Sequence, residues 1–199
     1  MELSESSGVN AGPDYSEKVG MIWYPGNTLS SAIGQSDNQF TPLQICNYIA
    51  TVVNGGHRYS VHLLKSVKSW DNTRLIEQYQ PQERNEVPLS DESRAAILQG
   101  MAEVTESTTT VREAFSGLTE RGIQVGSKTG SAQVSGQENA NGLFVCFAPF
   151  DDPEVAVCVA VEKGGSGAAT SVIAADILDY YFSDEAVLER VDGENQLLR

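Results

Sequence analysis

Positive charge is scarce in this chain: 13 Lys and Arg stand against 27 Asp and Glu in 199 residues, a net charge of -14. Nucleic acid and anionic membrane surfaces attract basic patches, so the global balance argues against either as a direct partner. Cysteine is scarce too. Cys46, Cys146 and Cys158 are odd in number and lack C-x-x-C spacing, which indicates neither a disulfide framework nor a zinc site. Their apolar contexts read as small core residues. The two histidines, His57 and His62, have no clustered ligand partners in the sequence, so no metal site is expected, and no motif calls for a cofactor. Long hydrophobic runs are missing as well. Met1 leads straight into Glu-Leu-Ser-Glu-Ser-Ser, with neither the basic start nor the apolar stretch of a secretory signal or membrane span. Taken alone, the chain is expected to be soluble and untargeted. The 40% hydrophobic and 20% charged content is that of an ordinary globular protein, without repeats or low-complexity tracts.

What is present divides into three stretches. Residues 1–40 are rich in Gly, Ser, Asn and Pro and read as a loop-rich lead-in, with Trp23 and Tyr24 packing it down. Residues 41–183 carry the periodic segments, and 184–199 form an acidic tail expected to fray. Thr41-Pro42 opens a helix with Thr as cap and Pro where its missing N–H is not needed. Leu43, Ile45, Ile49, Ala50, Val52 and Val53 supply its apolar face, and Asn54-Gly55-Gly56 ends it. Residues 57–70 read as a strand or hairpin and 71–88 as a polar connector. A second helix is expected from Ser90 to Val104, with Ala96, Ile97 and Met101 inward, and a shorter third over Thr108–Phe115. Strands follow near 123–133, 142–149 and 155–162. The last two are almost continuously apolar, as strands covered on both faces are, and the short Phe150-Asp-Asp-Pro153 link makes them an antiparallel hairpin. Gly164-Gly-Ser-Gly167 then turns into a helix over 168–182, with Ala169, Val172, Ile173, Ile177 and Tyr180 as its apolar stripe.

The chemistry concentrates in Lys128-Thr129-Gly130. An ammonium, a hydroxyl and a residue without a side chain sit together on an expected strand edge, which is one wall of an acyl-transfer site. K-T-G is a motif of the penicilloyl-serine transferases, alongside a nucleophilic Ser in S-x-x-K and a Ser in S-x-N or S-D-N. No S-x-x-K occurs here: the residues three before Lys18, Lys65, Lys68, Lys128 and Lys163 are Tyr15, His62, Lys65, Val125 and Ala160. On the tripeptide alone, a plain strand segment with a bulge is the better reading. The surroundings change that. Ile33-Gly-Gln-Ser-Asp with Thr41-Pro-Leu-Gln44, Val53-Asn-Gly-Gly56, Lys128-Thr-Gly-Ser-Ala-Gln133, Leu143-Phe-Val-Cys-Phe-Ala-Pro149 and Val157-Cys-Val-Ala-Val-Glu-Lys-Gly-Gly165 occur in the order and spacing of class B penicillin-binding proteins. The chain resembles the transpeptidase domain of that family over roughly residues 3–183, and within it the elongation-type peptidoglycan D,D-transpeptidases.

That resemblance implies an α/β fold of α+β type, an antiparallel sheet flanked by helices, and a C-terminal part of the transpeptidase domain. Carried over residue by residue, Lys128 and Ser131 are the catalytic candidates: Ser131 gives its backbone N–H to the oxyanion, and Lys128 tunes proton transfer. Thr129, Gly130, Ser131 and Gln133 are the substrate-binding candidates. Thr129 meets the carboxylate of a penicillin or stem peptide, and Gly130 lets a substrate backbone lie against the strand. Ser36-Asp37-Asn38 spells the second motif but lies far upstream, in the Gly-Gln-Gly-Asp-type loop of the pattern, and is read as a loop. Both serine motifs are then missing, so the chain alone is expected to be inactive. For the full enzyme the resemblance implies D-Ala-D-Ala stem peptides, β-lactams and cell-wall elongation proteins as partners, and a catalytic domain anchored outside the cytoplasmic membrane. Two other readings stay open: a non-catalytic truncated binding module or pseudoenzyme, and a β-lactamase or β-lactam-sensor domain. In the family the sheet is completed by earlier strands, so the strand at 155–162 is expected to expose an edge through which the chain self-associates.

Overall fold

The computed structural model describes residues 6–183 except Ser135 and Gln137; the expected acidic tail at 184–199 lies outside the described residues. The lead-in is not the loop its composition suggests. It holds two short helices, α1 (Pro13–Lys18) and α2 (Pro25–Ala32), each with a proline in its first turn. Six and eight residues are too few to show a helical period, which is why the pattern escaped detection. Trp23 is partly buried and donates its Nε1–H to Thr28 Oγ1 at 2.9 Å, whereas Tyr24 precedes α2 and is exposed, so only one of the two aromatics packs.

Helix α3 (Pro42–Val53) begins where expected. Thr41 Oγ1 accepts from Gln44 N–H at 3.1 Å, and Gln44 Oε1 accepts from Thr41 N–H at 2.9 Å, a reciprocal cap worth about 1 kcal/mol. Gln44 Nε2 also donates to the Ser6 carbonyl at 2.7 Å and so ties the lead-in to the helix. Ile49, Val52 and Val53 are buried, while Leu43 at the first turn faces solvent. Residues 57–86 form two small antiparallel ribbons, β1 (His57–Tyr59) with β4 (Glu83–Glu86) and β2 (Ser66–Lys68) with β3 (Leu75–Gln78). The expected connector at 71–88 is therefore partly strand. β3 and β4 are exposed on both faces, so no alternation marks them in the sequence. His57 Nδ1 lies 2.9 Å from Glu83 Oε1, and His62 stacks on Tyr79 with ring centroids 3.6 Å apart.

Helix α4 (Asp91–Ser107) starts at Ser90, whose hydroxyl accepts from Ser93 N–H at 3.2 Å. Arg94 reaches back to the last carbonyls of α3, donating to Val53 O at 2.9 Å and Val52 O at 3.3 Å, which places a cation at the negative end of that helix. The inward face differs from expectation. Leu98, Met101 and Thr105 point in, while Ala96 and Ile97 are exposed. The third helix is longer than expected and divides into α5 (Thr109–Ala114) and α6 (Ser116–Glu120).

The centre is a three-stranded antiparallel sheet, β5 (Gly126–Ala132), β6 (Asn141–Ala148) and β7 (Val155–Val161), in that order. β6 lies in the middle and is covered twice. Phe144, Cys146 and Ala148 meet Val111, Phe115, Leu118, Ala174 and Leu178 on one face, with Phe115 and Phe144 rings 5.9 Å apart. Val145 and Phe147 meet Ile49, Val53 and Met101 on the other. Helix α7 (Ser171–Tyr181) packs on the first face, but rotated from the expected stripe. Ser171, Ala174, Ala175 and Leu178 are buried; Val172, Ile173, Ile177 and Tyr180 face outward. Three of the four buried residues are small, and Leu178 is the one large side chain among them.

The β7 edge is less open than its sequence suggests. The Cys46 thiol, on α3, donates to the Ala156 carbonyl at 3.4 Å. Of the three cysteines only Cys146 is a fully buried core residue. Desolvation raises all three thiols above their ordinary pKa, Cys158 to about 11, which keeps them protonated and unreactive at neutral pH.

Candidate functional site

The K-T-G tripeptide lies in the middle of β5, an edge strand: β6 pairs with one side, and among the described residues no strand pairs with the other. The register is unbroken, with Lys128 opposite Val145, Thr129 opposite Phe144, Gly130 opposite Leu143 and Ser131 opposite Gly142. The bulge that a K-T-G might signal is therefore absent from this pairing. Lys128 is exposed and its Nζ donates to the Thr129 carbonyl at 2.6 Å; Thr129 and Gly130 are half-buried; Ser131 is exposed. Gln133 lies one residue beyond the strand and is exposed. The structure thus brings Lys128 to Ser131 together on one strand edge and puts Gln133 just past its end.

Three contacts hold β5 in place, and none of them was part of the sequence reading. Ser127, fully buried, shares a 2.8 Å hydrogen bond with Thr105 Oγ1 of α4, where either hydroxyl can donate. Gly126 lies directly over the Phe147 ring, and a methyl group there would overlap it. Gly167, in the turn read only as a link to the last helix, approaches so closely that a methyl group would overlap the carbonyl oxygens of Gly130 and Leu143. Its N–H donates to Ser131 Oγ at 3.2 Å. The Ser131 hydroxyl therefore ties the strand to the turn behind it. Glycine spacing in 164–167 was the visible signal for this approach, but nothing in it says which strand is approached.

Ser36-Asp37-Asn38 has a different use. The Asn38 amide donates to Gln35 O at 2.9 Å and to Ser31 O at 3.3 Å, and its Oδ1 accepts from Ala11 N–H at 2.9 Å. Asn38 is the knot of the lead-in. A cavity of about 850 Å³ between the lead-in, α3 and β1 is lined by Phe40, Ile45, Tyr48, Arg58, Val61 and Val87 among others, and no residue of β5 borders it.

The chain thus presents an antiparallel sheet with helices on both faces and K-T-G on an edge strand. The Penicillin binding protein transpeptidase domain family matches residues 3–179, and the chain belongs to that family. It is 33% identical over 167 residues to Penicillin-binding protein 2B of Streptococcus pneumoniae, covering 78% of this chain and 24% of that protein. It is 28% identical over 193 residues to the Peptidoglycan D,D-transpeptidase MrdA of Acinetobacter baumannii, covering 89% and 28% respectively. Among solved structures, PBP2 of Pseudomonas aeruginosa in complex with WCK 5153 is similar, with a TM-score of 0.74 and 29% identity over 91% of this chain and 39% of that one. The chain spans about a quarter of the length of the curated relatives it matches.

The Thr105–Ser127 contact is testable as a pair. Thr105→Val strands a buried hydroxyl and is expected to cost about 1–3 kcal/mol, while Thr105→Val with Ser127→Ala recovers part of that loss. Urea denaturation of the two single variants and the double variant measures the coupling. Strict additivity would show that the two hydroxyls do not depend on each other.

Proposed function

We propose that this chain supplies the K-T-G wall of a peptidoglycan D,D-transpeptidase and is inactive by itself. The observation that carries the reading is Lys128-Thr129-Gly130 on an edge strand of the central sheet, in a chain belonging to the penicillin-binding transpeptidase family. In the whole enzyme a serine oxygen attacks the penultimate D-alanine carbonyl of a stem peptide and D-alanine leaves. The acyl group then passes to an amine of a neighbouring peptide and the serine is released. Ser131 N–H stabilises the oxyanion, Thr129 receives the substrate carboxylate, Lys128 favours the anionic substrate and tunes proton transfer, and Gly130 and Gln133 border the peptide. β-Lactams occupy the same cleft. Elongation-complex proteins and a membrane anchor belong to the whole enzyme. Among the described residues, no helix is long and apolar enough to cross a membrane.

Two measurements test this reading. Incubation of the chain with a reporter penicillin followed by intact-mass analysis is expected to show no stable adduct, and a stoichiometric adduct on Ser36 or Ser131 would refute the assignment of a missing nucleophile. In a longer protein that joins this chain to an S-x-x-K segment, Lys128→Ala or Thr129→Val is expected to lower acylation about 10²-fold with little change in melting temperature. Unchanged acylation with a large drop in melting temperature would make both residues structural.

Self-association belongs to the same proposal. Cys46 covers Ala156, which leaves the Ala160 end of β7 and the outward Val172, Ile173 and Ile177 of α7 as the adhesive surface. Light scattering over a concentration series is expected to show a rising average mass. A clean monomer at high concentration counts against it.

A further inference from the structure

The β2–β3 ribbon stands apart from the rest of the molecule. Among the named elements β2 and β3 touch only each other. Their turn is nonetheless tightly organised. Ser69 Oγ donates to Asp71 Oδ1 at 2.6 Å, Thr73 N–H donates to the same oxygen at 3.2 Å, and Arg74 N–H donates to Ser69 Oγ at 3.0 Å. Ser69 N–H donates to Arg74 O at 2.8 Å and closes the turn, while His62 on Tyr79 stiffens the base. At the tip of this braced turn Trp70 is 92% exposed. Its indole is thus held out on a braced turn, with both faces available for stacking.

The charge around it is the reverse of the chain's. Lys65, Lys68 and Arg74 flank the tip, against Asp71, whose carboxylate is engaged inside the turn, and Glu77 farther along β3. In a chain of net charge -14, the three cations of this ribbon make a local excess of positive charge that favours an anionic polymer.

We infer that the Trp70 ribbon is a docking site for the peptidoglycan polymer, with the indole stacked on a sugar ring and Lys68 and Arg74 on carboxylates of the attached peptides. The choice of this polymer rests on the transpeptidase reading above. Tryptophan beside lysine and arginine also suits a bilayer interface. A bilayer, however, presents a broad anionic plane to the acidic remainder of the chain, whereas a thin polymer can touch the ribbon alone. The ribbon would hold polymeric substrate away from the K-T-G strand and raise its local concentration there.

Co-sedimentation of the chain with purified, teichoic-acid-free peptidoglycan sacculi tests the inference, with phosphatidylglycerol vesicles as a second probe. The chain is expected to pellet with sacculi, more weakly at high salt and more weakly again when the sacculus carboxylates are amidated. Trp70→Ala and the double variant Lys68→Glu/Arg74→Glu are each expected to weaken binding about tenfold or more, while Trp70→Tyr retains most of it. Lys18→Ala, at an exposed lysine of α1, should bind as the parent does; an equal loss of binding there would show that the ribbon is not the contact and overturn the proposal. So would tighter binding to vesicles than to sacculi, Trp70→Ala binding like the parent, or no pelleting at all. Trp70-dependent pelleting alongside failed acylation in the longer protein would refute the transpeptidase reading and leave the ribbon site standing.

Discussion

Everything in this molecule depends on covering one strand twice. β6 places Phe144, Cys146 and Ala148 on one face of the sheet and Val145 and Phe147 on the other, and all five are buried. Burying a phenylalanine or valine side chain contributes about 1.5–3 kcal/mol, so a strand that does so on both faces dictates what must surround it. α5, α6 and α7 close one side; α3 and α4 close the other. The candidate site exists because β5 pairs with this strand on one side only.

The site is braced rather than merely adjacent to the core. A hydroxyl pair under Ser127, an aromatic ring under Gly126 and a glycine behind Gly130 locate the backbone of Lys128-Thr129-Gly130 from three directions. Electrostatic catalysis needs donors held in place before charge develops, since donors that must reorganise return part of their benefit. The Ser131 hydroxyl accepts from Gly167 N–H and so joins the end of the strand to the turn behind it.

Much of the periphery was legible only in outline. Thr41-Pro42 and Ser90 announce their helices because capping is local: a side chain two or three residues away satisfies an orphan N–H whatever the rest of the chain does. The apolar runs at 143–148 and 155–161 likewise fall where expected. The orientation of α7 was not legible. A stripe of Val172, Ile173, Ile177 and Tyr180 is as apolar as any core face, yet the close-packing face is the one with alanines and a serine. Hydrophobicity alone does not choose between a face that fits and a face that is merely greasy.

The sequence by itself determined the caps, the order and near-extent of the central strands, and the presence of the K-T-G tripeptide without an S-x-x-K serine, because each is a matter of residues close together in the chain. Only the tertiary structure decided that Gly167 backs Gly130, that Thr105 serves Ser127, that Cys46 blunts the β7 edge, and that Asn38 ties up the lead-in rather than lining a cleft. Those contacts join residues far apart in the chain, Asn38 reaching Ala11 as well as its near neighbours. What brings them together is the shape left once both faces of β6 are filled, which no local pattern encodes.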